Sequence, residues 1–492
     1  MSSINYKYSV LLGLLILEVV GYGVFQAPNG DYGFYIAAVE QYIGAYRPFV
    51  DYGYSQTFGF ISITAFFKIY FIPTLGNVLL EYKILFVLFA LFSIFILFYM
   101  LLLVSRENKV SQKDTMLLFF ILLCLMPDYW YRATMIGTKE SLSLFLMLLS
   151  VLFFYKYLIN GSKVFLLFFS IFFALVVNIK FTYLASIVPF FYFFIYYNKN
   201  DQKIFALFTS LIVFISTCLL INYQVLLNGG YLVMLDHFIN VSQEIKSRND
   251  PVFKTIFSFF IIIIIANISI LAFFYWMNYK KYIKFEKSKS VLPKILITIG
   301  LFQFIVNAIG MFPTIFWAHN SILFLMITIG IYFLYLPKIN SSFTFNKILP
   351  MFLIFITIST LFTLIDRARP SFTFSDKIIE NSLNNLYNQG YSTYVYLGRE
   401  NHLLLNSNMK EKPISVYGTE QMELSKPARE KANYLKVIAC SNLADVLELE
   451  NIVIASIHAY NNHACIKQSL EELKFREIES SKYNILFIRN TK

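Results

Sequence analysis

Charged side chains are scarce in this chain, because only 14% of its 492 residues are Asp, Glu, Lys or Arg. Hydrophobic residues make up 58% of the sequence, 54 residues are Phe, and the mean hydropathy is +0.61. Apolar runs of membrane-spanning length recur from the N-terminus to about residue 366. Such runs exclude an ordinary soluble domain and predict a membrane protein with many spans.

Several functional signatures are also missing from the sequence. There is no glycine fingerprint for a dinucleotide or a phosphate loop, no Cys/His set with zinc spacing, and no internal repeat. No small-residue cleavage site follows the first apolar run, residues 9–25, so we predict an uncleaved first span. The net charge of +12 does not indicate nucleic acid, because the positive residues concentrate in alternate short loops.

Hydrophobicity predicts about eleven spans, and ten to thirteen remain open because some pairs of runs can be divided differently. A further apolar helix at about 57–75 could lie along the membrane interface. The predicted spans are 8–26, 80–104, 115–127, 139–158, 163–178, 181–197, 204–222, 254–277, 294–312, 318–336 and 347–366.

Loop charge predicts the orientation of these spans. The strongest positive cluster lies in the loop 277–294, which contains Lys280, Lys281, Lys284, Lys287, Lys289 and Lys294. The loops 105–114, 198–203 and 338–347 fall on the same side. The positive-inside rule therefore places the N-terminus in the cytoplasm, and an odd number of spans places residues 367–492 outside it.

The chain changes character after residue 366, where polar residues return. Residues 394–397, 452–457 and 484–488 are predicted strands, and residues 376–388 and 465–474 have helical spacing of apolar residues. This alternation predicts a small α/β domain at 367–492, outside the cytoplasm, following a transmembrane domain at 1–366. Cys440 and Cys465 lie in this part, where an oxidising compartment would permit a disulfide.

The first hydrophilic segment, residues 29–60, carries Asp31 and Asp51 among aromatic residues and glycines. Loop acids often only cap helices, and Lys180 alone could be an interfacial lysine that extends to the headgroups. Ionisable groups at the membrane are costly, however, and their clustering on one predicted face suggests a site. The other candidates on that face are Arg132, Lys139, Glu140, Lys180 and His319.

The first segment resembles that of membrane glycosyltransferases of the GT-C fold, and more closely the bacterial branch related to protein O-mannosyltransferases and aminoarabinose transferases. The likeness is carried by Asp31, by the pattern Gly-x-x-x-Pro-Phe-x-Asp at 44–51, and by Ser-Gln-x-Phe-Gly at 55–59. Where the family often shows two adjacent acids, this chain has Asp31 followed by Tyr32.

Weaker similarities extend the likeness over roughly residues 8–335. Residues 133–148 resemble the second outer loop of the family, with Glu140 as the best match for its acid and Asp128 as the second. Asn178-Ile-Lys-Phe-Thr resembles the Leu-Thr-Lys-Gly turn, so Lys180 takes the place of the lysine, although Phe181 replaces the glycine. Trp317-Ala-His-Asn-Ser is loosely similar to a late basic position, here His319.

The resemblance implies transfer of a sugar from a polyprenyl-phosphate carrier to a glycan, lipid or protein acceptor on the outer face of a bacterial plasma membrane. Lys180, Arg132, Lys139 and His319 would bind the substrate, chiefly its phosphate. Asp31 would be the general base, with Asp51 or Glu140 orienting the acceptor or the sugar. A single displacement would invert the anomeric centre. No metal is required, although the carboxylates could bind a divalent ion.

Three other functions remain open from the sequence. A polysaccharide polymerase or ligase would also act on lipid-linked sugars, although such proteins tend to carry their basic residues in one large late outer loop. A transporter or lipid flippase would favour charged or broken spans in repeated halves, which are not seen. For a non-catalytic membrane scaffold, the acidic and basic residues would be accidental.

Overall fold

The computed structural model describes residues 13–24 in part, and residues 30–48, 58–111, 114–116, 119, 140–197, 203–230, 232, 275, 278–280, 283–310, 321–339, 375–398, 401–412 and 443–490. Within these ranges, three helices are long and apolar enough to cross a membrane: Val78–Glu107, Ser141–Asn160 and Lys203–Ile221. Four shorter apolar helices accompany them, at Phe58–Phe71, Lys163–Ile179, Phe181–Tyr197 and Leu292–Gln303. The fold is mostly helical.

The first helices that the structure describes over their whole length are α1 (Gly30–Ile43), α2 (Phe58–Phe71) and α3 (Val78–Glu107). Asn77 caps α3, because its side-chain oxygen accepts a hydrogen bond of 2.9 Å from the amide of Leu80. The helix α1 was not predicted, since its sequence lies in the hydrophilic first segment.

The next part is a succession of closely packed apolar helices. These are α4 (Glu140–Asn160), α5 (Lys163–Ile179), the 3₁₀ helix η1 (Phe181–Ser186), α6 (Ile187–Tyr197), α7 (Lys203–Ile221) and the short α8 (Tyr223–Leu227). The helix α4 packs between α3 and α5, and α5 packs on α7. Gly161, with φ of 67°, makes the turn between α4 and α5.

Two further helices, α9 (Leu292–Gly310) and α10 (Ser321–Leu334), pack closely against each other. Strand β1 (Ile283–Lys287) precedes α9, and strand β2 (Tyr335–Ile339) follows α10. The two strands pair antiparallel with Lys284 opposite Lys338. The sequence predicted a loop at 277–294 and the end of a span at 336, and it did not predict that strands form and pair in these segments.

The C-terminal part contains α11 (Lys377–Asn388), β3 (Thr393–Leu397), the 3₁₀ helix η2 (Asn401–Leu404), β4 (Lys410–Glu411), α12 (Leu443–Glu448), β5 (Ile452–Ser456), α13 (Ile457–Asn462), α14 (Ala464–Glu472), β6 (Phe475–Ser480) and β7 (Asn484–Arg489). The strands form one sheet in the order β4-β3-β5-β7-β6. The pairs β3–β4 and β3–β5 are parallel, and β7 runs antiparallel to β5 and β6. The three predicted strands and two predicted helices are therefore confirmed.

The two faces of this sheet bury separate apolar clusters. On one face, Val395, Val453 and Phe487 pack with residues of α12, α13 and α14. On the other face, Tyr394 and Ile454 pack with α11 and with Leu404 of η2. The alternation of side chains along a strand accounts for this division, because consecutive residues such as Val453 and Ile454 face opposite clusters.

The predicted spans at 80–104, 163–178, 204–222 and 294–312 correspond to α3, α5, α7 and α9 within a few residues. The predicted span 139–158 corresponds to α4, and the predicted helix 57–75 corresponds to α2. The segments 115–127, 254–277 and 347–366 lie mostly or wholly outside the described residues. The count of about eleven spans therefore stays a prediction, as does the boundary between the domains 1–366 and 367–492.

Candidate functional site

The helix α1 places Asp31 in its first turn, at the second residue of the helix. The same helix is buried over the whole of residues 35–39, where relative exposure does not exceed 4%. Five consecutive helical residues cover every side of a helix at about 100° each, so other elements enclose this stretch of α1. The segment predicted as a hydrophilic loop therefore contains an internal helix.

Aromatic contacts fix α1 against α2. The ring of Tyr35 meets that of Phe60 edge-on at a centroid distance of 5.4 Å, and Tyr42 meets Phe58 in the same way at 5.2 Å. Edge-to-face pairs at this distance add to the stabilisation that burial provides. Phe58 and Gly59, the last two residues of the motif Ser-Gln-x-Phe-Gly, thus begin α2, and α1 packs on that start.

Gly59 of this motif lies directly against the backbone of Asn178, at the end of α5. A Cβ atom at position 59 would lie within 2.6 Å of the carbonyl carbon of Asn178. Only glycine permits so close an approach of two backbones. The contact brings together two sequence motifs separated by more than one hundred residues, the first segment and the Asn178–Lys180 turn.

The side chain of Asn178 is itself held in place. Its amide donates to the Ala174 carbonyl at 2.8 Å and to Sγ of Cys218 at 3.2 Å, and its oxygen accepts from Asn222. These bonds join α5 to the end of α7. A buried amide in an apolar environment is stable only when it is hydrogen-bonded in this way.

Lys180 stands where α5 ends and η1 begins. Its ammonium lies 5.8 Å from the ring centroid of Tyr183, the residue three positions later. In a 3₁₀ helix, residues three apart lie one above the other, so Tyr183 and Ser186 form one ridge, and Lys180 precedes it with its ammonium beside the Tyr183 ring. At the far end of the ridge, fully buried Gln303 of α9 donates to Ser186 Oγ at 2.6 Å.

A second set of ionisable residues lies on α1 and on the adjoining α2 and α3, and the sequence did not predict it. Glu40 accepts a hydrogen bond of 2.7 Å from the Tyr82 hydroxyl, and Glu81 forms a buried ion pair with Lys68. Burial raises the pKa of Glu40, although the bond from Tyr82 opposes the shift. The signal in the sequence was the group Glu81-Tyr-Lys83 at the edge of a long apolar run.

The C-terminal part contacts the same region. The helix η2 lies against α1, and Leu405 packs on the apolar core that the helices before the C-terminal part form. Asn406 Oδ1 accepts a hydrogen bond of 3.0 Å from the amide of Val78, and the amide of Asn406 donates to Glu380 at 3.2 Å. The helix α1 is therefore enclosed between α2 and the loop that follows β3.

The structure brings the segment of Asp31 and the Lys180 turn together through Gly59 and Asn178. Glu140 is the first residue of α4. Asp51, Arg132, Lys139 and His319 lie outside the described residues. Among the His, Cys, Asp and Glu side chains that the structure describes, no group of three or more could hold a metal ion.

Neither a family model nor a curated protein matches the sequence. Among solved structures, the chain is similar to the crystal structure of ArnT from Cupriavidus metallidurans in the apo state. The TM-score is 0.53 at 9% sequence identity, over 99% of this chain and 98% of that chain. The chain has an ArnT-like fold. At this sequence identity the likeness shows the fold alone. It supports the predictions that the chain has a GT-C fold and is a membrane protein, and it does not indicate a particular family.

Proposed function

We propose that this protein is an inverting membrane glycosyltransferase, which moves a sugar from a polyprenyl-phosphate carrier to a glycan, lipid or protein acceptor. The observation that carries the proposal is the backbone contact between Gly59 and Asn178. Within an ArnT-like fold, this contact joins the segment that bears Asp31 to the turn that bears Lys180. The two residues with the clearest chemical roles thus belong to packed, neighbouring elements.

The role proposed for Lys180 is to bind the phosphate of the carrier. The leaving group is a lipid phosphate, which needs stabilisation of its negative charge more than protonation. A lysine ammonium at the end of a helix, partly exposed and held beside an aromatic ring, is a suitable partner for that charge. Arg132, Lys139 and His319 are proposed to assist at the same phosphate or sugar.

The role proposed for Asp31 is that of general base. An acceptor hydroxyl is a poor nucleophile at neutral pH, so a carboxylate within hydrogen-bond reach must take its proton as the new bond forms. The acceptor oxygen then bonds to the anomeric carbon while the bond to the phosphate oxygen breaks. This single displacement inverts the anomeric centre. Asp51 and Glu140 are proposed to orient the acceptor and the sugar, without a required metal.

We further propose that residues 367–492 lie outside the cytoplasm, on the outer face of a bacterial plasma membrane, where the transfer reaction takes place. Cys465 in the C-terminal part is disulfide-bonded, and disulfides persist in oxidising compartments. The packing of η2 on α1 and the bond from Val78 to Asn406 support a position of this part beside the site. It would then restrict which acceptors reach Asp31.

The proposal is tested by transfer of labelled sugar in membranes supplied with a polyprenyl-phosphate donor pool. Asp31→Asn keeps the size of the side chain and removes the base, so transfer should fall by about a hundredfold or more. Lys180→Gln should weaken donor use. Lys163→Gln, at the other end of α5 from Lys180, and Asp114→Asn are the matched controls and should transfer normally. Unchanged transfer by Asp31→Asn and Lys180→Gln proteins at wild-type membrane levels would refute the mechanism.

A further inference from the structure

The antiparallel strands β1 and β2, together with the flanking residues 279–280 and 288–294, form a strongly basic element that we name the lysine ribbon. Residues 279–294 contain six lysines and one acid, Glu286, and β2 adds Lys338. Lys280, Lys287, Lys289 and Lys294 are exposed. The proposed transfer reaction assigns no role to these residues.

Pairing of the two strands concentrates the charge. Lys284 is directly opposite Lys338 in the register. The pairing therefore adds a lysine-bearing segment from the end of α10 to the six lysines of residues 279–294.

The ribbon is held to the membrane helices by hydrogen bonds of its own. The amide of Ser288 donates to the Leu334 carbonyl at 2.7 Å. Asn108, at the end of α3, donates to Ser288 Oγ at 2.8 Å and accepts from the amide of Lys289 at 2.8 Å. The lysines are therefore presented from a fixed backbone at the ends of three apolar helices, α3, α9 and α10.

The surroundings are those of a membrane interface. Tyr275, Tyr279 and Tyr335 are exposed by 73%, 70% and 47%, and tyrosines are enriched where a membrane meets water. Lysine clusters beside membrane helices attract anionic lipid headgroups. On the orientation predicted from loop charge, the ribbon faces the cytoplasmic leaflet.

We propose that the lysine ribbon binds the phosphate groups of anionic phospholipids. The lipid would sit beside the ends of α9 and α10, with its headgroup on Lys287, Lys289 and Lys294 and its acyl chains along the apolar helices. This binding site is separate from the proposed transfer site. Val78 and Tyr82, near the transfer site, lie at the start of α3, whereas Asn108, which holds the ribbon, follows the last residue of α3. The two sites therefore lie at opposite ends of this helix.

The test uses the full-length protein purified in detergent, titrated with phosphatidylglycerol or phosphatidylcholine, with bound lipid counted by native mass spectrometry. The wild type should bind phosphatidylglycerol at least tenfold more tightly than phosphatidylcholine. The triple variant Lys287→Gln/Lys289→Gln/Lys294→Gln should lose roughly tenfold or more of its phosphatidylglycerol affinity, since each lysine near an anionic surface contributes on the order of fivefold. Salt should weaken the wild-type binding.

Two matched variants separate specific binding from general charge. Lys377→Gln/Lys474→Gln/Lys482→Gln removes three exposed lysines from the C-terminal part and should bind phosphatidylglycerol like the wild type. The triple Lys→Arg variant of the ribbon keeps the charge and should also bind. Equal binding of both lipids by the wild type, or equal losses in the ribbon and control variants, would overturn the proposal. Full displacement of the lipid by millimolar inorganic phosphate would instead indicate a free-phosphate site and overturn it.

Discussion

Gly59 at the start of α2 packs without a side chain against the backbone of Asn178 at the end of α5. The relationship sets the distance between the first segment and the Lys180 turn. The motif at 55–59 therefore ends in glycine for a steric reason, independent of any role in chemistry.

A methyl group at position 59 is expected to force these helices apart. We expect Gly59→Ala to cost about 1–3 kcal/mol of stability through overpacking, and to impair sugar transfer because the Asp31 and Lys180 elements separate. Thermal stability in detergent and transfer in membranes measure the two effects. Gly21→Ala, at a helical position where a Cβ atom meets nothing within 4 Å, is the control. Wild-type behaviour of the Gly59→Ala protein would show that the helices can adjust.

The bond between Gln303 and Ser186 is expected to position Lys180 through the ridge of η1. Hydrogen bonds between membrane helices contribute on the order of 1 kcal/mol. Gln303→Leu and Ser186→Ala should each lower thermal stability and weaken binding of undecaprenyl phosphate, and the double variant should be little worse than either single one. Thr298→Val, which removes only a bond within α9 to the Lys294 carbonyl, is the control. Fully additive losses would contradict a shared interaction.

Removing one member of the buried Lys68–Glu81 pair should be more damaging than removing both. Glu81 is 2% exposed and also accepts from the amide of Leu75 at 2.6 Å. Lys68→Met leaves a buried carboxylate uncompensated, which costs about 3 kcal/mol or more. The double variant Lys68→Met/Glu81→Gln should recover most of this loss, as measured by thermal unfolding in detergent. Equal stability of the single and double variants would argue that the pair is effectively solvated.

The stability of the C-terminal part is expected to depend on pH through Glu380. Burial raises the pKa of this carboxyl, with Asp376 adding to the shift, while bonds from Ser375 and Asn406 oppose it. The folded state therefore holds the proton more tightly. The protonated Glu380 side chain therefore stabilises the folded state fully below the ordinary pKa of glutamate, and this stabilisation is lost as the pH rises through the raised pKa.

Hydrogen exchange of residues 375–398 in the full chain measures this dependence. Protection in the wild type should fall as the pH rises from acidic toward neutral, after correction for the intrinsic exchange rate. The Glu380→Gln side chain can still accept a hydrogen bond from Asn406 but cannot ionise. In this variant, the fall in protection with rising pH that ionisation of Glu380 causes should disappear. Glu477→Gln, on exposed β6, should keep the wild-type slope. The same slope in Glu380→Gln would assign the pH dependence to another group.

Hydrophobic patterning alone determined the type and approximate position of α3, α4, α5, α7 and α9, and of the main strands in the C-terminal part. Local composition suffices for these elements, because a membrane helix needs only length and apolarity, and a buried strand needs a short β-branched or aromatic run. The resemblance in residues 29–60 and at Lys180 predicted the GT-C fold, which the structural likeness to ArnT supports.

Only tertiary structure decided that the segment around Asp31 is a buried helix, that Gly59 touches Asn178, and that Gln303 reaches Ser186. The sequence of α1 has two glycines and many aromatic residues, which favour helix poorly on their own, and its burial depends on α2 and η2. The pairing of β1 with β2 joins segments about fifty residues apart, and Pro337 and the lysines give no local strand signal. Contacts of this kind depend on how distant elements pack, and local patterns carry no information about that.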